Sequence, residues 1–197
     1  MSDAPALPPR LVHVVNAIHP QPDDAWGALH ALVTRRTYAA RDHVSPLGSV
    51  QRSVGLLEHG HVRAYVTTAD GKHYNKHLFV APTLVGDYAS LLTGEPVVVP
   101  QQALTPCVVW WIDRDALHDL EARHPSIAML QRRFAEALYL AKEQRELEIA
   151  TLDATARYDA LVRAHPELDQ AIPLYEISAY LGITPTQLSR IRRRRAR

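Results

Sequence analysis

Along this chain, apolar residues recur three and four apart near the N-terminus. They alternate with polar residues in short runs through the middle, and return to helical spacing from residue 114 onward. Two amphipathic helices are predicted first. Leu11, Val14, Val15 and Ile18 share a face across Arg10–Ile18. Trp26, Leu29, Leu32 and Val33 do so from Asp23 or Asp24, both N-cap candidates, to about Arg35. Residues 1–9 (MSDAPALPP) read as a loose leader.

From Thr37 to Ile112 the segments are short, β-branched or aromatic, and broken by Gly, Pro and Asp. Val54–Glu58, His61–Thr67 and Lys72–Val80 are predicted as successive strands, with Val97–Val99 and Ala103–Ile112 completing the series. Asp70-Gly71 is the strongest hairpin signal, because a tight turn needs a positive φ that glycine adopts freely. Gly48 and Gly60 mark further turns. Short strands at such spacing predict an antiparallel sandwich or barrel.

Beyond Asp113 the pattern is helical. Arg114–Ala122 is a short amphipathic piece, and Pro125 opens a longer helix to about Ala150. Ile127, Leu130, Phe134, Ala137 and Ala141 keep 3/4 spacing, while Leu138, Leu140, Leu147 and Ile149 widen the stripe. Arg132/Glu136 and Lys142/Glu146 are i, i+4 pairs on the polar face. So long an apolar face either packs on its own domain or forms a dimer seam. The seam is the preferred reading, although the heptad fades after Ala141. Helices over Thr155–Ala164 and from Glu167 to about Ile172 lead into the C-terminal segment.

Residues 174–193 read LYEISAYLGITPTQLSRIRR. Two helices crossing through a short turn need a residue tolerant of positive φ in the turn and a small residue where they approach. Gly182 and Ser178 occupy those places. Ile177, Leu181, Ile183, Leu188 and Ile191 form the expected shared core, and Thr184-Pro185 starts the second helix with an N-cap hydroxyl and an N1 proline. This is a helix-turn-helix pattern. The same pattern in a module that binds nothing would be a plain helix hairpin, and the placement of charge favours the DNA-binding reading. Of 22 basic residues, six arginines fall in the last ten positions, leaving 16 against all 21 acids. The rest of the chain is thus net −5, and the entire positive excess begins on the second helix.

If that helix enters a major groove, Thr184, Pro185, Thr186, Gln187, Ser189 and Arg190 lie at its leading end. Gln187 suits adenine and Arg190 suits guanine, while Arg192, Arg193, Arg194, Arg195 and Arg197 are better placed for phosphates.

Composition adds exclusions. At 47% hydrophobic and 22% charged the chain reads as globular, and its longest apolar run, Cys107–Ile112, is six residues. That is far below the ~20 needed to span a bilayer. Residues 1–10 lack a signal-peptide pattern, so a cytoplasmic protein is expected. The single cysteine, Cys107, excludes an intramolecular disulfide and reads as a buried structural thiol.

A β-rich N-terminal half, a long connecting helix and LYEISAYLGITPTQLSRIRR resemble the Crp/Fnr superfamily of bacterial transcription regulators. The resemblance runs from about Asp23 to Arg195 and also takes in VGLLEHG at 54–60 and VGDYASLLTG at 85–94. It implies an α+β fold: an antiparallel β-barrel or jelly roll, a long connecting helix, and a C-terminal helix-turn-helix bundle. The segments expected are a leader and short helix (1–22), an effector domain (23–124), a dimerisation helix (125–152) and a DNA-binding domain (153–197). Double-stranded DNA with a pseudo-palindromic operator, a homodimer and RNA polymerase are the implied partners. No membrane or cofactor is expected.

Gly86, Asp87 and Tyr88 fall in what resembles the phosphate-binding cassette, with Asp87 at the position of a ribose-binding glutamate. Val97 and Val98 stand where the family has the arginine and serine that hold a cyclic phosphate. Cyclic AMP or GMP is therefore not expected, since an anion against two valines lacks its counter-charge. Many members carry a β-hairpin wing after the second helix. Here a helix over 184–195 uses nearly all remaining residues, and the arginines are expected to make the backbone contacts instead.

A second class stays open: a cupin-like β-barrel binding a small molecule or metal, its helical tail serving assembly. Among the histidines, His59 and His61 would share one face of a strand, with Glu58 adjacent and His73 and His77 nearby. Hydrogen-bonding histidines near turns are the plainer reading. No Walker loop, GxGxxG, HExxH or GxSxG is present, and no catalysis is expected.

Overall fold

The computed structural model describes residues 6–195. Helices α1 (Pro9–Ile18) and α2 (Asp23–His30) precede strands β1 (Thr34–Tyr38), β2 (His43–Ser45) and β3 (Ser53–His59). Strands β4 (His61–Thr67), β5 (His73–Val80) and β6 (Thr83–Val85) follow, then helix α3 (Tyr88–Thr93) and strands β7 (Gln101–Ala103) and β8 (Cys107–Asp113). The remainder is helical: α4 (Arg114–Glu121), α5 (Pro125–Thr151), α6 (Ala154–Ala164), α7 (Leu168–Ala171), α8 (Leu174–Leu181) and α9 (Pro185–Arg195).

The strands make two four-stranded sheets in the orders β1-β8-β3-β6 and β2-β7-β4-β5. All pairs are antiparallel, which gives the jelly-roll form of the expected architecture. The apolar run in β8 is explained by burial on both faces. Trp110 and Ile112 pack beneath α1 and α2, while Val109 and Trp111 face the opposing sheet. A strand covered on both sides loses the alternation that marks a half-exposed one. Between β3 and β4, Gly60 sits at φ +96°, and a Cβ there would run into the Pro106 carbonyl and the Cys107 sulfur.

Several sequence expectations need correction. The helix expected to reach Arg35 stops at His30, because Thr34–Tyr38 instead pairs with β8 from Thr34↔Trp111 to Tyr38↔Cys107. Val97–Val99 is not a strand. Flanking Pro96 and Pro100 lack backbone donors, and only Val97 bonds across, to Ser49 and Gly48. Ala103–Ile112 is two strands separated by a turn at 104–106. Of the supposed leader, residues 1–5 lie outside the described residues, but Leu7 is buried in the core with Leu11 and Val15.

The long helix α5 has 27 residues, about 40 Å at 1.5 Å per residue. Only Ile127 is buried in it. Phe134, placed in the seam by its spacing, packs edge-on against Tyr88 with ring centres 5.4 Å apart. The exposed apolar residues of α5 are Met129, Tyr139, Leu140, Leu147 and Ile149. Among the described residues, no helix is long and apolar enough to cross a membrane.

Candidate nucleic-acid interface and effector region

The α8–α9 pair is built as its residues require. Gly182 ends α8 at φ +67°, ψ +32°, the left-handed conformation that glycine enters without steric cost. Ser178 is buried, and its hydroxyl donates back to the Tyr175 carbonyl. Ile177 and Leu188 are both fully buried, closing the small core with Leu181 and Ile191.

The start of α9 holds a feature that the sequence reading missed. Gln187 Oε1 accepts the Thr184 N–H at 2.9 Å, and Thr184 Oγ1 accepts the Gln187 N–H at 3.2 Å. This reciprocal pair is a capping box, whose Thr-x-x-Gln signature is present at 184–187. It leaves the Gln187 amide nitrogen as a donor, while its oxygen is committed to the backbone.

The arginines of α9 divide into two groups. Arg192 Nε lies 3.3 Å from Asp169, and Arg195 Nε lies 3.2 Å from Asp159. Both turn back onto the body of the module. Thr186, Gln187, Arg190, Arg193 and Arg194 are exposed, whereas Ser189 is half-buried. Residues 187, 190 and 194 follow i, i+3, i+7 and so line one outward face. Arg193 folds along its own helix, its Nε 3.3 Å from the Ser189 carbonyl. Arg197 lies outside the described residues.

In the effector region, Gly86 sits at φ +113° and donates its N–H to Gln101 Oε1 at 2.9 Å. Asp87 caps α3, accepting from the N–H groups of Ala89 and Ser90 at 3.0 and 3.1 Å. Buried Ser90 accepts the Gln51 N–H and donates to the Glu95 carbonyl, and Gln51 Oε1 accepts from Ser45. Val97 is 1% exposed and Val98 73% exposed, so the two valines do not face one pocket. These residues do not fit a cyclic phosphate. Neither valine brings charge or a side-chain donor, and the polar groups of the cassette bond one another.

The histidine pair is also corrected. His59 ends β3 and His61 opens β4, so Gly60 turns the chain between them and they do not share a strand face. Among the described residues, no group of three or more His, Cys, Asp and Glu side chains is placed to hold a metal. Burial holds His61 below the usual imidazole range, against an opposing pull from Glu167. It pushes the Cys107 thiol up, keeping it protonated and unreactive.

Comparison with known proteins agrees with this geometry. Residues 35–124, which span most of the two sheets, match the model of the cyclic nucleotide-binding domain. Beyond that domain, this chain shares the fold of solved structures, with the long helix and further helices following the sheets. It is similar to FixK2 of Bradyrhizobium japonicum (TM-score 0.68, 19% identity, 82% of this chain and 83% of that one). It is also similar to CLP, the c-di-GMP-responsive global regulator of Xanthomonas campestris (TM-score 0.65, 16% identity, 88% and 91%). A third is the catabolite activator protein of Thermus thermophilus (TM-score 0.56, 20% identity, 91% and 85%). No curated protein matches this chain in sequence.

Proposed function

We propose that this protein is a DNA-binding transcription regulator that works as a homodimer, with α8–α9 as its helix-turn-helix and α9 as the recognition helix. One observation carries the reading. Helix α9 has five arginines and no acid in eleven residues, and its outward face presents Gln187, Arg190 and Arg194 to solvent. Beneath that face Leu188 and Ile191 are packed into a core shared with Leu78 of β5, so the charge is displayed on a fixed surface rather than on a loose tail.

In this reading the helix enters the major groove from its N-terminal end. Thr184 and Thr186 lie near the backbone, and Gln187 donates through its amide nitrogen. Arg190 makes a bidentate contact to guanine, and Arg193 and Arg194 meet phosphates. The exposed apolar residues of α5 form the seam between two copies and set the two recognition helices on one two-fold axis. Cyclic AMP and GMP are not the effectors, which the buried and outward-turned valines at 97 and 98 support. Similarity to CLP, described as responsive to c-di-GMP, is consistent with a fold that serves more than one effector chemistry.

Selection from a random duplex library tests the function. The full-length protein is expected to enrich a pseudo-palindrome with half-sites one helical turn apart, about 34–36 Å centre to centre. Recovery of unenriched library at every salt concentration would overturn the reading.

A further inference from the structure

The strongest unexplained feature lies between the β domain and α8, where a buried ion pair joins residues 113 positions apart. Arg63 of β4 donates through Nη1 to both carboxylate oxygens of Glu176 at 2.9 Å. Glu176 is 1% exposed, although it sits in the first turn of a surface module. Fully buried Asn75 of β5 donates from Nδ2 to Glu176 Oε2 at 2.7 Å and to its carbonyl at 2.9 Å. On the far side, Gln102 Oε1 accepts from Arg63 Nη2 at 2.8 Å, and the guanidinium lies 4.2 Å above the Tyr65 ring. Both carboxylate oxygens thus accept from the sheet, Oε1 from Arg63 and Oε2 from Arg63 and Asn75.

We infer that Arg63, Asn75 and Glu176 form a ligand-independent clamp that seats the C-terminal module on β5 with the outer face of α9 left open. Three further observations support this. Leu78 of β5 belongs to the same apolar cluster as Ile177 and Leu188, so the module and the sheet share one core. Arg145 of α5 grips α8 from another side, donating to the Tyr180 carbonyl at 2.8 Å and stacking 3.9 Å over its ring. In this seated position Thr186, Gln187, Arg190 and Arg194 all remain exposed. The clamp also adjoins the effector region. Gln101 and Gln102 are neighbours on β7, the first bonded to Gly86 and the second to Arg63.

A clamp makes a local demand. Removing one member strands the other charge in a buried site, which opens the seat without unfolding the distant sheet. Amide hydrogen exchange on the full chain reads this directly. Glu176→Gln and Arg63→Met are each expected to speed exchange of the α8 and β5 amides roughly a hundredfold. Amides of the β1-β8-β3 sheet should stay within threefold and serve as the folding control. The double variant Arg63→Met/Glu176→Met leaves no unpaired charge and is expected to recover at least tenfold of that loss. Unchanged α8 and β5 exchange in both single variants would overturn the clamp, as would uniform acceleration across both sheets.

The statement that the seated pose is competent rests on the proposed DNA-binding function and has its own readout. Each single variant should bind the selected duplex more weakly, and tighter binding would overturn competence. If the unmodified chain binds no DNA, the DNA-binding reading fails while exchange still decides the clamp.

Discussion

The division of the α9 arginines into outward and inward groups has a measurable consequence in salt dependence. Arg194→Ala removes a cation on the outer face, whereas Arg192→Ala and Arg195→Ala remove cations already paired with Asp169 and Asp159. Each phosphate contact contributes about 0.9 to the slope of log affinity against log salt, or about 1.8 for a dimer that loses one per protomer. Between 50 and 200 mM salt that single contact alters the response about 3.5-fold per protomer. Arg194→Ala should therefore flatten the slope by close to the full amount on every sequence. Arg192→Ala and Arg195→Ala should change it by no more than about 0.3 per protomer, since those side chains must first leave a surface ion pair worth about 0–1 kcal/mol. Arg190→Ala differs in kind. It should cost about 1–3 kcal/mol on the preferred site, relax one base position, and leave binding to random DNA nearly unaltered. The reverse perturbation is Asp169→Asn, which frees Arg192 and should steepen the slope. Anisotropy titrations with selected and random duplexes across a salt series measure all five variants against the unmodified chain. Equal, sequence-blind losses from the four alanine variants would show a cationic tail and refute the face assignment.

Cyclic AMP or GMP at millimolar concentration should leave the melting temperature unchanged. A ligand at 100 times its Kd stabilises by about 2.7 kcal/mol, so a saturable rise of several degrees would refute the assignment of Val97 and Val98. Leu140→Asp places a charge on the exposed apolar face of α5, where Leu140 is 65% exposed, and should convert a dimer to a monomer in sedimentation velocity. An unmodified protein sedimenting as a monomer at micromolar concentration would remove α5 as the seam.

The features legible in the sequence were those whose causes are local. Gly182, the Thr184-Pro185 start and small Ser178 state the α8–α9 turn within about ten residues, and α5 announces itself through Pro125 and its spacing. The capping box at 184–187 was equally legible and was overlooked. Strands β1, β2 and β6 were not, for a physical reason. β1 reads Thr-Arg-Arg-Thr-Tyr and is exposed over its first four residues, because edge position and not apolar content makes it a strand. Val97–Val99 misled in the opposite sense, as a β-branched run held out of a ladder by two prolines. The Arg63–Glu176 pair and the inward turn of Arg192 and Arg195 depend on tertiary neighbours, and no spacing rule reaches across 113 positions.

The segment at 85–98, which resembles a phosphate-binding cassette, satisfies its own polar groups. Buried polar groups in such a loop are each costly unless they find a partner. Here the partners come from within. Gln101 satisfies the Gly86 N–H, Asp87 satisfies the first turn of α3, and Ser90 joins the Gln51 and Glu95 backbones. Gln51 Oε1 in turn accepts a hydrogen bond from the Ser45 hydroxyl. A loop whose hydrogen bonds are closed internally gains little from a bound anion. An anion would have to displace the Gln101 and Asp87 contacts before making its own. The same sheet that closes the cassette through Gln101 holds Arg63 in place through Gln102. In the clamp inferred above, that sheet is the seat that fixes where α9 points.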